Sequence, residues 1–568
     1  MATTAHLDTF ARDRLPPQDQ WPVFRFNADT DYPERINAAA ELVDRHVREG
    51  RGERIAIRHR RDGRIETVTY AGLAALVSRI AHVLVEDMRL VPGNRVLLRG
   101  PNNLMMAASW LATLKAGLVA VPTMPLLRAR ELKQIIDKAQ VTAALCDVRL
   151  REELDANQQA GGDCHCPSLA RTLYFNGEGE GSLEAAMAGK PETFDACDTA
   201  GDDVCLIAFT SGTTGQPKGT MHFHRDVLAM CDLFPRHVLR SVPDDIFCGT
   251  PPIAFTFGLG GMLCFPLRVG ASTVLAEKLT PETLLELIHD FRATIVFTAP
   301  TFYRQMATLA PRFDIASLRH SVSAGEALPD ATRQSWKAAT GIEMTDGIGG
   351  TEMMHIFISS AGADVRPGAI GRVVPGYVAQ IVDENMQPLP PGQVGKLAVQ
   401  GPTGCRYLDD PRQANYVKNG WNLPGDTFVA DADGYYFYQA RSDDMIISAG
   451  YNIAGPEVES ALMQHEAVAE CGVVGAPDDG RGQVVMAYVV LREGVAADDA
   501  TRTALQDHVK RQIAPYKYPR RIEFVPALPR TETGKLQRFR LRQMAQQGAT
   551  GGNAGDGGNG GKPHQEKP

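Results

Sequence analysis

No segment of the sequence is long and apolar enough to span a membrane. The most apolar stretch, Met105 to Leu127, is broken by Lys115, Gly117, Pro122 and Pro125, and reads as a helix followed by a buried strand. The opening MATTAHLDTFARDRL carries Asp8, Arg12, Asp13 and Arg14 and has no apolar core, so neither a signal peptide nor an anchor is expected there. Cysteine pairs at metal-ligand spacing are missing too. The ten cysteines stand singly apart from Cys164-His165-Cys166, with no second Cys/His pair to complete a zinc site, and they read as reduced thiols of a cytoplasmic protein. Nor is there an excess of positive charge. A formal charge of −8 with both signs interspersed gives no long-range field for nucleic acid. The one basic run, Arg58-His59-Arg60-Arg61, lies before Asp62-Gly63 among alternating apolar positions (Ile55, Ile57; Ile65, Val68), the pattern of a hairpin with solvated charges. No internal repeat is visible.

What the sequence does have is length and apolar content. With 568 residues, 44% of them hydrophobic, two or more packing units are expected. From about residue 50 to 440, short Val/Ile/Leu-rich runs alternate with amphipathic stretches, such as Arg95–Leu98 before a Met105–Lys115 helix, and Thr294–Thr298 after a Pro281–Phe291 helix. This is the pattern of a large α/β domain, placed at residues 1–440. A small α+β domain is expected over 441–545, with strands Val468–Val474 and Val484–Leu491 and a helix Thr503–Gln512. The remainder, 546–568, is Gly-rich with hardly any apolar residue and is expected to be disordered.

The buried strand Cys205–Phe209 runs straight into Thr210-Ser211-Gly212-Thr213-Thr214-Gly215-Gln216-Pro217-Lys218-Gly219. Glycines let backbone N–H groups converge, four hydroxyls can donate, and Lys218 adds charge, which suits a polyphosphate. Counting GxxxxGK from Gly212 puts Pro217 at the second glycine, so this is not a Walker loop.

The loop resembles the signature of the adenylate-forming superfamily of acyl-CoA ligases, peptide-synthetase adenylation domains and luciferases, [Y/F]TSGTTGxPKG, at every position. Further stretches resemble that family's motifs in its order. Ser323-Ala324-Gly325-Glu326 resembles the segment beside adenine and acyl pocket, and Asp346-Gly347-Ile348-Gly349-Gly350-Thr351-Glu352 the YGxTE motif, with Ile348 in place of the usual aromatic residue. Trp421–Asp426 resembles WxxTGD, with Pro424 for Thr. Arg441-Ser442-Asp443-Asp444 resembles the hinge, with Ala440 for the usual Gly, and Pro529–Lys535 the PxxxxGK segment.

The resemblance covers roughly residues 30 to 545, and it implies ATP and coenzyme A as substrates and Mg²⁺ as a cofactor. Thr210, Ser211, Gly212, Thr213, Thr214, Gly215, Lys218, Gly325, Glu326, Asp346, Gly347, Ile348, Gly349, Asp426 and Arg441 would bind ATP. Thr351 would touch the α-phosphate, Glu352 with Thr210 would hold Mg²⁺, and Lys535 would be the catalytic lysine. The small domain would be mobile about Asp443, and Gly450, Tyr451, Tyr516 and Lys517 would meet CoA. Inside the superfamily, Phe255–Gly260 and Asp346–Phe357 look most like benzoate-type aryl-CoA ligases. HLDTFARDRLPP and YPERINAAAELVDRH look like the 2-aminobenzoate branch. Phe255, Phe257, Tyr303, Ala324, Gly325 and His355 are the pocket candidates, whereas His222 and His224 read as structural. The expected reaction joins an aromatic acid to CoA through an acyl-adenylate. Loading of a carrier protein in trans and a fatty acyl-CoA ligase are the alternatives. A homodimer is compatible with the sequence.

Overall fold

A computed structural model describes residues 3–61, 63–179, 181–210, 217–441, 444–448, 451–478, 481–530 and 536–551. The chain divides into two compact units, Met1–Tyr438 and Gln439–Pro568. It is a mixed α/β protein with a large N-terminal part of several sheets and a smaller C-terminal part.

The large unit has two sheets of mainly parallel strands. One has six strands in the order Arg171–Phe175, Ala143–Asp147, Arg95–Arg99, Val119–Thr123, Val204–Thr210 and Lys218–Phe223, the last antiparallel to its neighbour. The other has nine, and its centre runs Met344–Gly349, His320–Ala324, Ile295–Thr298, Ile246–Gly249, Ser272–Val274. Strands buried on both faces read as unbroken apolar runs, which is why Arg95–Arg99 and Val119–Thr123 are buried throughout. A third, antiparallel sheet of six strands includes Val394–Gln400 and Asp426–Ala430.

Local chemistry places the helices. Pro281–Phe291 starts at Thr280, whose hydroxyl accepts from the Thr283 N–H, has Pro281 in its first turn, and ends at Arg292 in the left-handed region (φ 54°). Leu104–Lys115 is capped by Asn103 and is buried on nearly every side, so its composition resembles that of a membrane segment although it packs on the Arg95–Arg99 and Val119–Thr123 strands and the Tyr70–His82 helix. No helix among the described residues is long and apolar enough to cross a membrane. The basic run does form a hairpin, Ile55–Arg61 against Arg64–Thr69, with Asp62 outside the described residues.

The small unit pairs Val468–Asp478 with Gly482–Leu491, flanked by Ile446–Ser448 and Arg521–Phe524. Its sheet has a core on each face. Helices Gly455–Met463 and Asp499–Gln512 bury Val458, Leu462, Leu505 and Val509 on one side. On the other, Leu541 and Ala545 of the Arg538–Gly551 helix meet Val474, Ala476 and Tyr488. That helix reaches Gly551, so the onset of disorder expected after residue 545 is corrected. Apolar positions four apart give the segment a face to bury, and the helix carries on into the Gly-rich sequence. Residues 552–568 lie outside the described residues.

Candidate active site

Strand register gathers several of the candidates. Thr210 lies opposite Lys218, so the hydroxyl-rich loop is the connection of a hairpin; Ser211, Gly212, Thr213, Thr214 and Gly215 fall outside the described residues. In the nine-stranded sheet Ser323 pairs with Asp346 and Ala324 with Gly347, which brings two candidate motifs side by side at one strand end. Gly325 turns away with φ 90°, a conformation glycine adopts without strain. A Cβ on Gly349 would stand 2.5 Å from the His355 carbonyl oxygen, so glycine is needed where the chain folds back on itself.

Beyond Gly349 a single tight turn, Thr351–Met353, carries Thr351 and Glu352. A segment unmarked by the sequence reading holds it. Arg406–Leu408 runs antiparallel to the Lys218–Phe223 strand, the Met221 N–H donating to the Arg406 carbonyl and the Leu408 N–H to that of Gly219. From it the Tyr407 hydroxyl donates to Glu352 Oε1 at 2.6 Å, with Lys218 Nζ 3.4 Å from the same hydroxyl. Nearby, Thr403 Oγ1 donates to the Met353 carbonyl. Next to Glu352 and undissociated, the Tyr407 phenol has its pKa pushed far up by burial and by the carboxylate. Neither Glu352 nor Lys218 has an oppositely charged partner in an ion pair among the described residues. A half-buried carboxylate without a cation suits a hard divalent ion, and a lysine without a carboxylate suits phosphate.

His355 sits in an aromatic enclosure. Its ring lies 4.5 Å from Phe265, 5.7 Å from Phe234 and from Phe257, and 6.5 Å from Phe297, centroid to centroid. Nε2 is 3.3 Å from the Phe257 carbonyl, and Nδ1 is buried with no partner. Burial lowers the imidazole pKa to about 3, so the ring is neutral; with the proton on Nε2 facing the carbonyl, Nδ1 is left as a lone acceptor. Phe255 precedes the Thr256–Leu259 helix and makes no ring contact with this group. Tyr303 is corrected as a pocket residue. It lies in the core with Trp336 on the opposite face of the sheet, its hydroxyl taken up by the strand carbonyls of Val296 and Val322. The cause is strand alternation: Phe297 faces the His355 side and Val296 the other.

Comparison with known proteins matches residues 43–406 to the family of AMP-binding enzymes and residues 457–535 to the AMP-binding enzyme C-terminal domain. The chain belongs to the AMP-binding enzyme family. It is 37% identical to the benzoate–CoA ligase of Thauera aromatica over 90% of this chain and 96% of that one, and 31% identical to the 3-hydroxybenzoate–CoA ligase of Aromatoleum sp. (strain CIB) over 90% and 98%. The crystal structure of the anthranilate CoA ligase AuaEII in complex with anthranoyl-AMP superposes with a TM-score of 0.85 at 33% identity, covering 92% of this chain and 100% of that one. The AMP-binding enzyme described here is an AMP-forming acyl/aryl-CoA ligase of the benzoate type.

Other candidates of this AMP-binding enzyme are held in different ways. Asp346 is fully buried and its carboxyl is raised to about 7, chiefly by desolvation, against the opposing pull of Arg333 and the Gly347 N–H. Ile348 flanks the large core, and Asp426 heads its strand nearly buried. Glu326 lies just past the strand end, half-buried, and Arg441 closes the Tyr436–Arg441 strand with its side chain exposed. In the small unit, Lys517 Nζ is paired with both oxygens of Glu457 at 2.6 and 2.7 Å beside the exposed Tyr516. Asp443, Gly450 and Lys535 lie outside the described residues, and of Tyr451 only the backbone is described. Tyr407, Phe234, Phe265 and Phe297 were missed from sequence. The available signal was Arg406, a charge set between Cys405 and Tyr407 in a stretch that is buried throughout, Arg406 included.

Proposed function

We propose that this enzyme joins an aromatic carboxylic acid of the benzoate class, with 2-aminobenzoate preferred, to CoA. The carboxylate attacks the α-phosphorus of ATP, a new O–P bond forms, and the bond to the pyrophosphate oxygen breaks. The CoA sulfur then attacks the acyl carbon and AMP leaves.

Both reactants of the first step are anions, so the task of the protein is to hold them in line and offset the charge that develops. Lys218 and the hydroxyls of its loop do this for the departing phosphates, Thr351 for the α-phosphate, and Lys535 for the carboxylate and the bridging oxygen. Asp426 and Arg441 hold the ribose, Asp346 to Gly349 flank adenine, and Glu352 with Thr210 holds Mg²⁺, which when bound would offset phosphate charge. For the second step the small domain turns at Asp443 and withdraws Lys535, while Gly450, Tyr451, Tyr516 and Lys517 border the path of CoA. The reaction belongs to the cytoplasm.

The preference for the 2-amino acid rests on one observation. His355 offers a buried acceptor, Nδ1, with no partner, inside a wall of phenyl rings. A ring donor satisfies it, whereas an unsubstituted ring leaves it unpaired at a cost of about 1–3 kcal/mol. The solved neighbour that binds anthranoyl-AMP supports the same reading. Comparison of kcat/KM for three acids tests it. The expected order is 2-aminobenzoate about tenfold ahead of benzoate, with octanoate at least a further tenfold behind. Benzoate well ahead of 2-aminobenzoate would end the narrower reading, and octanoate equal to either would end the aromatic one.

A further inference from the structure

Glu352 and Thr351 are held by a closed chain of contacts that the reaction scheme does not use. Tyr407 donates to Glu352 Oε1 at 2.6 Å. The adjacent Arg406 forms a fully buried ion pair with Asp226. Asp226 Oδ2 accepts from the N–H of Phe223, the neighbour of His222, at 3.0 Å, and His222 Nε2 lies 2.8 Å from the Thr351 carbonyl, while His222 Nδ1 stands 3.7 Å from Asp226 Oδ2 without a hydrogen bond. Since Thr351 and Glu352 are neighbours in the chain, as are His222 and Phe223, the contacts form a ring: His222, Thr351, Glu352, Tyr407, Arg406, Asp226 and, through the Phe223 N–H, back to His222. His222, Asp226 and Arg406 are wholly excluded from solvent and Tyr407 nearly so. The Arg406 guanidinium also lies 3.9 Å over the Phe223 ring, which fixes its plane.

The chemistry of the ring is directional. A carbonyl can only accept, so His222 carries its proton on Nε2 and donates it to Thr351. Tyr407 likewise donates to one oxygen of Glu352, leaving the other free to bind a cation. A buried ion pair is a poor source of stability for its own sake, because desolvation offsets most of the attraction, but it fixes a geometry that a looser apolar contact would not. Of the ring's members, the proposed scheme gives contact with the phosphates or their metal to Thr351 and Glu352 alone. The rest of the ring acts through them.

We propose that Tyr407 and His222 are positioning residues for the adenylation step: through the Asp226–Arg406 pair they lock the Thr351–Glu352 turn in the orientation that receives the metal-bound triphosphate. This rests on the ATP-dependent reading of the site. It assigns His222, a structural histidine by sequence, a share in catalysis through the Thr351 carbonyl.

Four variants of the full-length protein test it: Tyr407→Phe, His222→Ala, His222→Gln and, as a reference for general loosening, Ser109→Ala, a buried hydroxyl with no hydrogen-bond partner far from the ring in sequence. Three quantities are measured: the Kd of Mn²⁺ in the presence of ATP without acid, by electron paramagnetic resonance; acid-dependent ATP–pyrophosphate exchange; and thioester formation from supplied acyl-adenylate. Tyr407→Phe keeps the ring in place and should weaken Mn²⁺ at least tenfold and slow exchange ten- to a hundredfold, with thioester formation within twofold. His222→Ala should behave alike, and His222→Gln, which keeps an N–H near the ε position, should recover most of the loss. An unchanged Mn²⁺ Kd in Tyr407→Phe overturns the proposal, as do equal losses in both half-reactions or a His222→Gln no better than His222→Ala. If His222 variants do not fold, Tyr407→Phe decides alone. Mn²⁺ binding needs no turnover, so absence of exchange in the unsubstituted protein would sink the functional reading while the ring is still judged. Failure of that protein to bind Mn²⁺ with ATP would sink both.

Discussion

A buried imidazole with one free nitrogen is costly unless something completes it, and His355 is such a group. Because desolvation holds its pKa near 3, it stays neutral over the working range and cannot contribute a pH step to acid recognition. His355→Phe would fill the enclosure with a ring that has no acceptor. The preference for 2-aminobenzoate over benzoate should then fall from about tenfold to near one in kcat/KM, with benzoate little changed; a preference that survives would place the acceptor elsewhere. Asp346 poses the opposite problem. Its folded-state pKa is raised to about 7, above the usual carboxylate value near 3.8. Between those values the unfolded chain has released the proton while the folded chain still holds it, so stability falls as pH rises from about 4 to 7 and the whole penalty remains above 7. Each unit of the shift corresponds to about 1.4 kcal/mol. Asp346→Asn should therefore gain melting temperature over the parent at pH 8 and lose most of that gain at pH 4.5, measured without ligands. A gain independent of pH would show that Asp346 ionises normally.

Elements bring these residues together, and one helical turn does so with almost no clearance. The Gly260–Cys264 turn follows the Thr256–Leu259 helix and passes directly under His355. A Cβ on Gly260 would lie 2.5 Å from His355 Cδ2 and 2.7 Å from Phe265 Cζ. Gly260→Ala must push the imidazole aside, and with reacting groups a displacement near 1 Å costs about a hundredfold. The expected result is a KM for the aromatic acid raised tenfold or more, with ATP binding by the acid-free enzyme unchanged; a normal KM would mean the enclosure yields without cost. The same elements mark what the sequence could reveal. Pro281–Phe291 and the two long strands of the small unit were legible because capping residues and apolar periodicity are local signals. The pocket role of Tyr303 was misjudged because the choice between two faces of a sheet is made by alternation along a neighbouring strand, which the tyrosine itself does not encode. Tyr407 went unseen because its partner Glu352 is far away in sequence, and only the pairing of Arg406–Leu408 with the Lys218–Phe223 strand brings them within reach.

At the scale of the whole molecule, the division into Met1–Tyr438 and Gln439–Pro568 agrees with a family match that ends at 406 and resumes at 457. The two half-reactions of the proposed scheme call for different residues of the small unit. Adenylation needs positive charge beside the carboxylate and the α-phosphate, whereas thioester formation needs a thiol to approach the same acyl carbon, and a lysine left in place would block it. Lys535, the last residue of the matched C-terminal segment, is the group that the proposed scheme assigns to the first step alone. Lys535→Ala should thus slow acid-dependent ATP–pyrophosphate exchange by two to three powers of ten, the loss expected when an oriented charge is removed from a transition state. Thioester formation from supplied acyl-adenylate and CoA should stay within a few-fold of the parent, because the proposed scheme gives the lysine no part in it. Equal loss in both assays would mean that a single arrangement of the two units serves both steps. Unimpaired exchange would mean that the charge comes from Lys218 and its loop without help from the small unit.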